Sequence, residues 1–377
     1  MTLRTDQAPF KAVPAEERGA RKPIWVTPEM VVEVNFHGWT HGDRVRQASF
    51  QGVREDKAAK DVVRERTKSL AAINKDGTAR RRSGPVTARN SKFAGGDIVL
   101  THPDRVYWPD SNITKRELAE FYTKIWKWVR PHLVGRPIAL LRCPEGASGE
   151  CFFQKHATMG VSTEHLHLVP EKGDKIISID DLNGLIALVQ AGVLEIHTRG
   201  TTVEDRERAD RLVFDLDPGP GTRWKDVVAA AHEVRDRLAA LKLKCFLKTS
   251  GGKGLHVVLP IKPTPWAAAK DFSHGIAATM AADSPNRYLA TAAKSRRNNR
   301  IFVDYLRNSR EATAVAPYST RARTGAPVSV PIEWDELRNL KSANQYTVRN
   351  LPLRLSRLRK DPWASIGRIK QSLPVDK

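Results

Sequence analysis

The sequence centres on residues 211–221, which read RLVFDLDPGPG. The alternation of apolar and polar residues is typical of a strand, and the Pro-Gly pairs that follow indicate a turn. Because successive side chains of a strand point to opposite faces, the apolar side chains of 212–216 are predicted to face the core. Asp215 and Asp217 then share the other face, with Cα atoms ~6.5–7 Å apart by strand rise.

This pair of carboxylates predicts a cation site. Like charges on one sheet face repel each other, and hard divalent cations prefer carboxylate oxygens, so the pair suits one cation or two cations about 3.5–4 Å apart. The structural alternative is two solvated acids at the end of a strand. An aspartyl phosphatase motif also reads apolar-Asp-x-Asp, but it requires Thr or Val where this chain has Gly219, which argues against that activity.

A third carboxylate, Asp304, lies within residues 300–307, RIFVDYLR. An aspartate inside an apolar strand is costly to bury unless it is paired or bound to metal. Asp304 is therefore the natural third ligand for the cation site, and a salt bridge to a neighbouring arginine is the alternative.

A glycine-rich turn occupies residues 248–260, KTSGGKGLHVVLP. Its glycines let the backbone approach a ligand closely, and Ser250, Lys253 and His256 place a hydroxyl, a cation and an imidazole around the bend. Such a turn, with these three side chains around it, suits the binding of a triphosphate, although the spacing is not that of a Walker A loop. A simple hairpin is the alternative. Arg321, on a loop bounded by Pro and Gly, suits phosphate clamping.

Two further features are ambiguous taken alone. His197, in LEIHTRG, has a structural role as its default interpretation. Phe152 and Phe153, in GECFFQKH, are either packed in the core or form a platform for base stacking beside the cations Lys155 and His156.

Composition narrows the class of protein. The chain has 377 residues, which suggests about two to three domains. Its 63 basic and 42 acidic residues give a net charge of +21, which predicts a polyanionic partner, and nucleic acid is favoured over a membrane surface because no clustered lipid anchor is present. The 40% hydrophobic content argues against wholesale disorder.

The cysteines and the apolar segments indicate a cytoplasmic protein. Three cysteines are too few for a disulfide scaffold, lack the spacing of a structural zinc site and suit a reducing compartment. The amino-terminal residues lack the apolar region of a signal peptide. The most apolar stretch, residues 182–196, is too short to span a bilayer and is predicted to be one buried amphipathic helix.

The pattern predicts an α/β polypeptide from residue 97 onward. The helix expected over 114–130 begins at a capping box formed by Thr114 and Glu117 and ends at Pro131. Further helices are expected over 180–190, 224–241 and 266–282. Strands are expected over 137–142, 211–217, 254–261 and 301–306. Before this region, the sequence predicts strands within 20–55, a short helix over 56–66 and a flexible basic linker over 67–96.

Taken in order, these motifs resemble the polymerase domain of bacterial DNA ligase D, which belongs to the archaeo-eukaryotic primase superfamily. The likeness covers residues 97–363. The matching stretches are LTHPDRVYWP, ITKRELAEFY, GRPIALLRCPEG, GECFFQKH, LEIHT, LVFDLDPGPG, TSGGKGLHVVLPI, FVDYLRN and ATAVAPYSTRARTGAPVSVPIEWDEL. The resemblance implies a primase-polymerase fold of the α/β (α+β) class, in which β-sheets are flanked by helices, over residues 97–377.

The same resemblance implies a template-dependent nucleotidyltransferase. The expected catalytic residues, which would also hold two divalent metal ions (Mn²⁺ or Mg²⁺), are Asp215, Asp217 and Asp304. The residues expected to bind the nucleotide are His197, Ser250, Lys253, His256 and Arg321. The residues expected to contact DNA are Phe152 and Phe153, through base stacking, and Arg105 and Lys115, through a downstream 5′-phosphate.

Residues 24–66 resemble a different piece of the same enzyme class, the carboxyl-terminal end of the OB-fold in the ligase domain. Arg54, Asp56 and Lys57 match the final ligase motif, so residues 1–66 are interpreted as a partial OB-fold remnant. Lys75-Asp76-Gly77 lacks the spacing of the nucleophilic ligase motif and lies after the OB-like piece. The chain is therefore not expected to seal nicks by itself.

The resemblance also implies a place in non-homologous end joining. It implies gap filling with a preference for ribonucleotides and manganese, the end-binding protein Ku as a partner, and a ligase supplied separately. The family often carries Asn and Lys where this chain has His102 and Arg105, which changes the detail of the 5′-phosphate contact. A non-enzymatic module that bridges DNA ends is the competing hypothesis, and three retained acidic motifs weigh against it.

Overall fold

The computed structural model describes residues 98–374, apart from 158–160 and 172, and short segments nearer the amino terminus. Those segments are 4–5, 25–27, 31–35, 38–39, 45–46, 49–54 and 91–92. The chain divides into two compact units, Met1–Pro85 and Val86–Lys377.

The described part of the first unit consists of antiparallel strand pairs. The strands are β1 (Arg4–Thr5), β2 (Trp25–Val26), β3 (Val31–Asn35), β4 (Gly38–Trp39), β5 (Val45–Arg46) and β6 (Ser49–Arg54). β1 pairs with β2, β3 with β6, and β4 with β5. These pairs agree with the strands expected here, whereas the helix expected over 56–66 lies outside the described residues.

The second unit contains a mixed α/β core. Its strands are β7 (Ser91–Lys92), β8 (Val99–Leu100), β9 (Val106–Trp108), β10 (Ile113–Thr114), β11 (Ile138–Arg142), β12 (Phe152–Gln154), β13 (His167–Glu171), β14 (Asp174–Ser178), β15 (Val193–Thr198), β16 (Arg208–Pro218), β17 (Phe246–Thr249), β18 (Leu255–Pro265), β19 (Tyr288–Leu289), β20 (Ile301–Asp304), β21 (Ala314–Val315) and β22 (Pro331–Ile332). Its α-helices are α1 (Lys115–Leu133), α2 (Leu182–Gln190), α3 (Trp224–Ala240), α4 (Trp266–Asp283) and α5 (Leu351–Arg357).

Two six-stranded sheets organise this unit. One runs in the order β13-β14-β11-β15-β21, with β12 also paired to β11. The other runs β19-β20-β16-β18-β17-β22, and all its pairs are antiparallel except β19 with β20. β16 therefore lies inside the second sheet, with a partner on each side. Two small antiparallel pairs, β7 with β8 and β9 with β10, complete the strands.

The alternation predicted for β16 is confirmed. Leu212, Phe214 and Leu216 are fully buried in the hydrophobic core, and α3 and α4 pack against β16 and β18. Asp215 and Asp217 consequently lie on the opposite face of the same sheet.

Helix α1 begins where the sequence predicts and ends later. The Thr114 hydroxyl accepts a hydrogen bond from Glu117 N at 3.2 Å, while the Glu117 carboxylate accepts from Thr114 N at 2.9 Å, so the capping box forms. Pro131 does not end the helix, which continues to Leu133. The last turn is retained because Leu133 is buried and Val134 N donates to Arg130 O at 3.2 Å, which closes the helix beyond the proline.

Three further expectations need correction. The apolar stretch 182–196 is not one helix, because Gly192, with a φ of 77°, turns the chain from α2 into β15. Ser91 and Lys92, placed in the predicted linker, form the strand β7. The strand expected over 301–306 ends at Asp304, and a 3-10 turn, Leu306–Asn308, follows it.

The cysteines also depart from the expectation of free thiols. Cys143 and Cys151 form a disulfide, and Cys245 is free and buried. The pairing follows from the hairpin, because β11 and β12 place Arg142 opposite Phe152 and so bring the adjacent cysteines together. None of the described helices has the length and apolar character needed to cross a bilayer.

Candidate active site

Strand register brings the three carboxylates to one sheet face. β16 pairs with β18 on one side and β20 on the other, so Asp215 lies opposite both His256 and Asp304. Asp217, two residues further along β16, lies on the same face and opposite Phe302. Residues that are 89 positions apart in the sequence thus become neighbours across a pair of strands.

A cavity of about 600 Å³ opens over this face. It is lined by two of the carboxylates, Asp215 and Asp217, and by every residue predicted to bind the nucleotide: His197, Ser250, Lys253, His256 and Arg321. Asp304 is buried beside Asp215 and is not part of the cavity wall.

Two arginines that the sequence analysis did not single out pair with the carboxylates. Arg307 Nε lies 3.3 Å from Asp215 Oδ2 and 3.1 Å from Asp304 Oδ2. Arg297 forms an ion pair with Asp217. Both line the cavity. Their basic character was visible in the sequence, but their places beside the aspartates depend on the turns that flank β20.

The two adjacent carboxylates are held in different states. Burial by itself would raise the pKa of Asp215, but His256 and Arg307 reverse that effect and hold the pKa below its usual range. Burial raises the pKa of Asp304 to about 6, and the negative charge of Asp215 adds to this effect while Arg307 opposes it. The surrounding charges thus favour ionisation of Asp215 more strongly than ionisation of Asp304.

Behind the carboxylates lies a layer of buried basic groups. His256 Nε2 lies 3.3 Å from Asp215 Oδ1, and burial together with nearby Lys248 lowers the pKa of this imidazole to about 4. Lys248, opposite His256 in the sheet, is itself buried and donates to Ser329 Oγ at 2.8 Å. Burial lowers the pKa of Lys248 well below its usual range. Lys248 was not among the predicted site residues, although it stands immediately before the glycine-rich turn.

The glycine-rich turn is fixed in place by its serine. Ser250 Oγ accepts hydrogen bonds from Gly252 N at 3.1 Å and from Gly254 N at 3.2 Å. Gly251 has a φ of 66°, and a Cβ on Gly254 would collide with the carbonyl oxygen of Leu216. Glycine is thus required for the turn to lie against β16, and Lys253 at its tip is exposed.

Glu195, which was not among the predicted site residues, organises the cavity wall that contains His197 and Arg321. Its Oε2 lies 2.9 Å from His197 Nε2 and 2.9 Å from Arg321 Nε. Arg321 in turn donates to the carbonyl oxygen of Ser250 at 2.6 Å, which joins this wall to the glycine-rich turn. The signal was present in LEIHT, because residues two apart on a strand share a face.

The aromatic pair is exposed at the rim. Phe152 is 45% and Phe153 is 60% exposed, so the interpretation as core residues is wrong. Phe153 packs edge-on against His197 with ring centroids 5.2 Å apart, and the Arg142 guanidinium lies 5.4 Å from the Phe152 ring. Phe153 shares a sheet face with Glu195 and His197 and so lies beside the cavity, whereas Phe152 points to the other face, with Arg142.

The two residues expected at a 5′-phosphate differ in accessibility. Arg105 is partly exposed, and its Nη1 donates to Pro144 O at 2.8 Å. Lys115 is only 4% exposed, and its ammonium donates to Thr101 O at 2.9 Å and to both oxygens of Gln190. Burial lowers the pKa of Lys115 to about 8. A phosphate contact by Lys115 therefore requires it to leave these acceptors.

The carboxylates suit a divalent metal by their chemistry. Carboxylate oxygens are the ligands that Mg²⁺ and Mn²⁺ prefer, and three carboxylates share this sheet face. In the described residues, no three His, Cys, Asp or Glu side chains converge as metal ligands, and the aspartates pair with arginines instead. The donor set fits the metal, while the ligand assignment stays a prediction.

Two known protein families match this chain, each over a different segment. The family described as "LigD, primase-polymerase domain" matches residues 114–363. The family described as "ATP dependent DNA ligase C terminal region" matches residues 1–57. The resemblance inferred from the motifs is thereby confirmed for both segments.

Two individual relatives carry the LigD name as well. A Pseudomonas aeruginosa protein named "Multifunctional non-homologous end joining protein LigD" is 39% identical over 368 residues, which are 96% of this chain and 43% of that protein. A Mycolicibacterium smegmatis protein of the same name is 34% identical over 246 residues, 64% of this chain and 32% of that protein. The chain thus spans less than half the length of these relatives.

A solved structure is similar as well. It is described as "Polymerase Domain from Mycobacterium tuberculosis Ligase D in complex with DNA". It superposes with a TM-score of 0.66 and 29% identity, and covers 72% of this chain and 98% of that one. The expected fold class is confirmed by this match.

Proposed function

This chain belongs to the LigD primase-polymerase family, and we propose on that basis that it is a template-dependent nucleotidyltransferase that fills gaps and extends 3′ ends of DNA. The observation that carries the proposal is the cavity in which Asp215 and Asp217 face the glycine-rich turn and Arg321. Acids suited to metal binding and cations suited to phosphate binding thus line one cavity, an arrangement that phosphoryl transfer requires.

The carboxylates Asp215, Asp217 and Asp304 would hold two divalent ions, Mn²⁺ or Mg²⁺, which supply activation of the primer hydroxyl and neutralisation of the leaving pyrophosphate. Arg297 and Arg307 neutralise the same carboxylates before a metal enters. Bound ions would displace Arg297 and Arg307 from these carboxylates and leave both guanidinium groups available to the triphosphate.

The nucleotide is proposed to lie between the glycine-rich turn and the Glu195 wall. Ser250 shapes the turn, Lys253 and Arg321 supply positive charge to the phosphates, and His197 contacts the phosphate or sugar end. His256 remains neutral near pH 7 because its pKa is about 4, so it supports Asp215 without adding a net charge. Catalysis then consists mainly of positioning and charge neutralisation.

DNA is proposed to run along the rim of the cavity. The exposed rings of Phe152 and Phe153 offer a stacking surface for a base. Arg105 is the accessible cation for a downstream 5′-phosphate, and Lys115 would join it only after a rearrangement. The net charge of +21 supplies the long-range attraction that gathers DNA.

The biological setting is proposed from the relatives. Their names place them in non-homologous end joining, so this chain is assigned to cytoplasmic, nucleoid-associated repair of double-strand breaks, with Ku as the end-binding partner. Ribonucleotides and manganese are proposed as the preferred substrate and metal. Lys75-Asp76-Gly77 lies outside the described residues, and a separate ligase is proposed to seal the product.

Primer extension on a gapped duplex tests the proposal. The full chain, with Mn²⁺, is expected to add nucleotides opposite the template, to prefer ribonucleotides, and to add them faster when the gap carries a 5′-phosphate. Nick sealing with ATP is expected to yield no product. Tight DNA binding without incorporation, with Mn²⁺ and with Mg²⁺, would instead favour the second candidate, a module that bridges DNA ends.

A further inference from the structure

A second groove lies on the same sheet face as the carboxylates. Arg211 precedes Asp215 by four residues on β16, so both side chains point to one face. Arg211 joins two cavities of about 440 Å³ and about 360 Å³, which also share Ile366 and Gly367. The two cavities form one elongated groove between β16, the end of α1 and the carboxyl-terminal segment 358–370.

One end of the groove is mainly apolar. Trp128, Pro131 and Trp363 line it, together with His132. Trp363 is 2% exposed, with its indole nitrogen donating to Leu247 O at 2.9 Å, and the His132 ring packs edge-on against it. His132 is also 2% exposed, and its Nδ1 has no hydrogen-bond partner in the described part of the chain. This end provides an apolar socket, and an unpartnered imidazole nitrogen is buried beside it.

The rest of the groove is positively charged. Lys127, Arg211 and Arg359 border the apolar end, and Lys262 and Lys370 border the other end. Among the residues that the structure describes, none of these five side chains is in a salt bridge. Burial and the neighbouring Arg136 lower the pKa of Arg211 to about 9, so it stays charged at pH 7.

The carboxylates of the groove are already engaged. Asp361 accepts from Tyr318 Oη at 3.1 Å and from Trp363 N at 2.7 Å. Asp210 receives two hydrogen bonds from Arg136, at 2.9 and 2.6 Å. The cations of the groove consequently lack an anionic partner of their own, and an acidic ligand would supply one.

We propose that this groove binds an acidic peptide segment of a partner protein, with one large apolar side chain inserted beside Trp128 and His132. An extended peptide fits because the groove is elongated and pairs one apolar socket with a basic channel. Single-stranded nucleic acid fits less well, because stacking needs open ring faces. Phe152 and Phe153 present such faces, whereas Trp363 is covered.

Selection from a random peptide library on the full chain tests this proposal. The expected consensus is a large apolar residue flanked by Asp or Glu. A fluorescein-labelled peptide of that consensus is then titrated with the protein, and its anisotropy gives the affinity. A consensus without acidic residues, or no enrichment over blank beads, would overturn the proposal.

Two variants locate the binding. Gly367 lines both cavities, and a Cβ placed on it meets no atom within 4 Å, so Gly367→Trp is expected to fill the groove and weaken peptide binding at least tenfold. The double variant Lys127→Glu, Arg359→Glu is expected to do the same through charge. The matched control is Gly275→Trp, an equally open position on the exposed surface of α4, which should bind like the wild type.

Oligothymidylate tests whether single-stranded nucleic acid, and not a peptide, occupies the groove. Peptide binding that Gly367→Trp leaves unchanged would show that the peptide lies elsewhere. Oligothymidylate that displaces the peptide, and loses affinity in the same two variants but not in Gly275→Trp, would make the groove a nucleic-acid site. Either result overturns the proposal, and neither affects the polymerase assignment, which is read from primer extension.

Discussion

At the scale of single residues, Glu195 fixes two proposed nucleotide contacts without facing the reaction itself. Its Oε2 holds both His197 and Arg321, and hydrogen bonds to charged groups contribute roughly 1.5–3 kcal/mol. Glu195→Gln is therefore expected to raise the KM for the nucleotide by roughly tenfold, which corresponds to about 1.4 kcal/mol, with a smaller change in kcat. Steady-state primer extension measures both constants.

The control for this variant is Glu336→Gln. Glu336 also pairs with an arginine, Arg354, but does not line the cavity. It should leave the KM unchanged. Equal effects of the two substitutions would show that the loss at Glu195 reflects general destabilisation and would contradict its positioning role.

Asp304 is expected to make the free energy of unfolding depend on pH. Because its pKa is raised from 3.8 to about 6, the folded protein binds this proton more tightly than the unfolded chain. The stability that the group contributes is present below pH 4 and lost as the pH rises through 6. Metal-free Asp304→Asn, which cannot ionise, is expected to be more stable than the wild type by ~3 kcal/mol at pH 8 and about equally stable well below pH 4.

Urea unfolding in EDTA at several pH values measures this difference. The matched control is Asp104→Asn, at a carboxylate that is 83% exposed. A stability difference that grows toward acid pH would contradict the account of Asp304.

At the scale of elements, the β11–β12 hairpin connects Arg105 with Phe152 and Phe153, the residues proposed to contact DNA. Its connection begins at Cys143, leads past Pro144, which accepts from Arg105, and ends at Cys151 beside Phe152. Closing a loop of this size with a disulfide stabilises a protein by about 2.5 kcal/mol in the chain-entropy account.

Reduction with dithiothreitol is therefore expected to lower the free energy of unfolding by roughly 2.5 kcal/mol. Cys151→Ser should show the loss without reductant and no further change with it, which separates the disulfide from other effects of the reagent. A wild-type protein that unfolds identically with and without reductant would contradict the pairing.

Most elements were predictable because their signals are local. Alternation located β16 and β3, and a capping box located the start of α1. The errors arose where tertiary packing decides the outcome. The buried last turn carries α1 past Pro131, and the cysteine pair forms only because strand register brings its members together.

At the scale of the whole molecule, the sequence supplied the types of the site residues but not their pairing. Asp215, His256 and Asp304 were each visible as a motif, and the order β20-β16-β18 made them neighbours. Arg297 and Arg307 could not be singled out among 63 basic residues, because only the fold places them on the carboxylates.

The charge of the whole chain is opposite in sign to the charge of its proposed catalytic residues. The chain as a whole carries a net charge of +21, whereas the key residues of the proposed catalytic face are acidic. The basic surface is proposed to gather DNA, and the three aspartates to gather the metal ions. DNA binding and nucleotide addition should therefore be separable, since they depend on groups of opposite charge.

The most direct test of the central claim is extension of a gapped duplex by the double variant Asp215→Asn, Asp217→Asn with Mn²⁺. We predict that the variant binds the duplex like the wild type but adds nucleotides at least ~10³-fold more slowly, a loss of about 4 kcal/mol in transition-state stabilisation. Asp226→Asn, on the exposed surface of α3, should extend normally. Full extension by the double variant would contradict the assignment of these aspartates as the catalytic site.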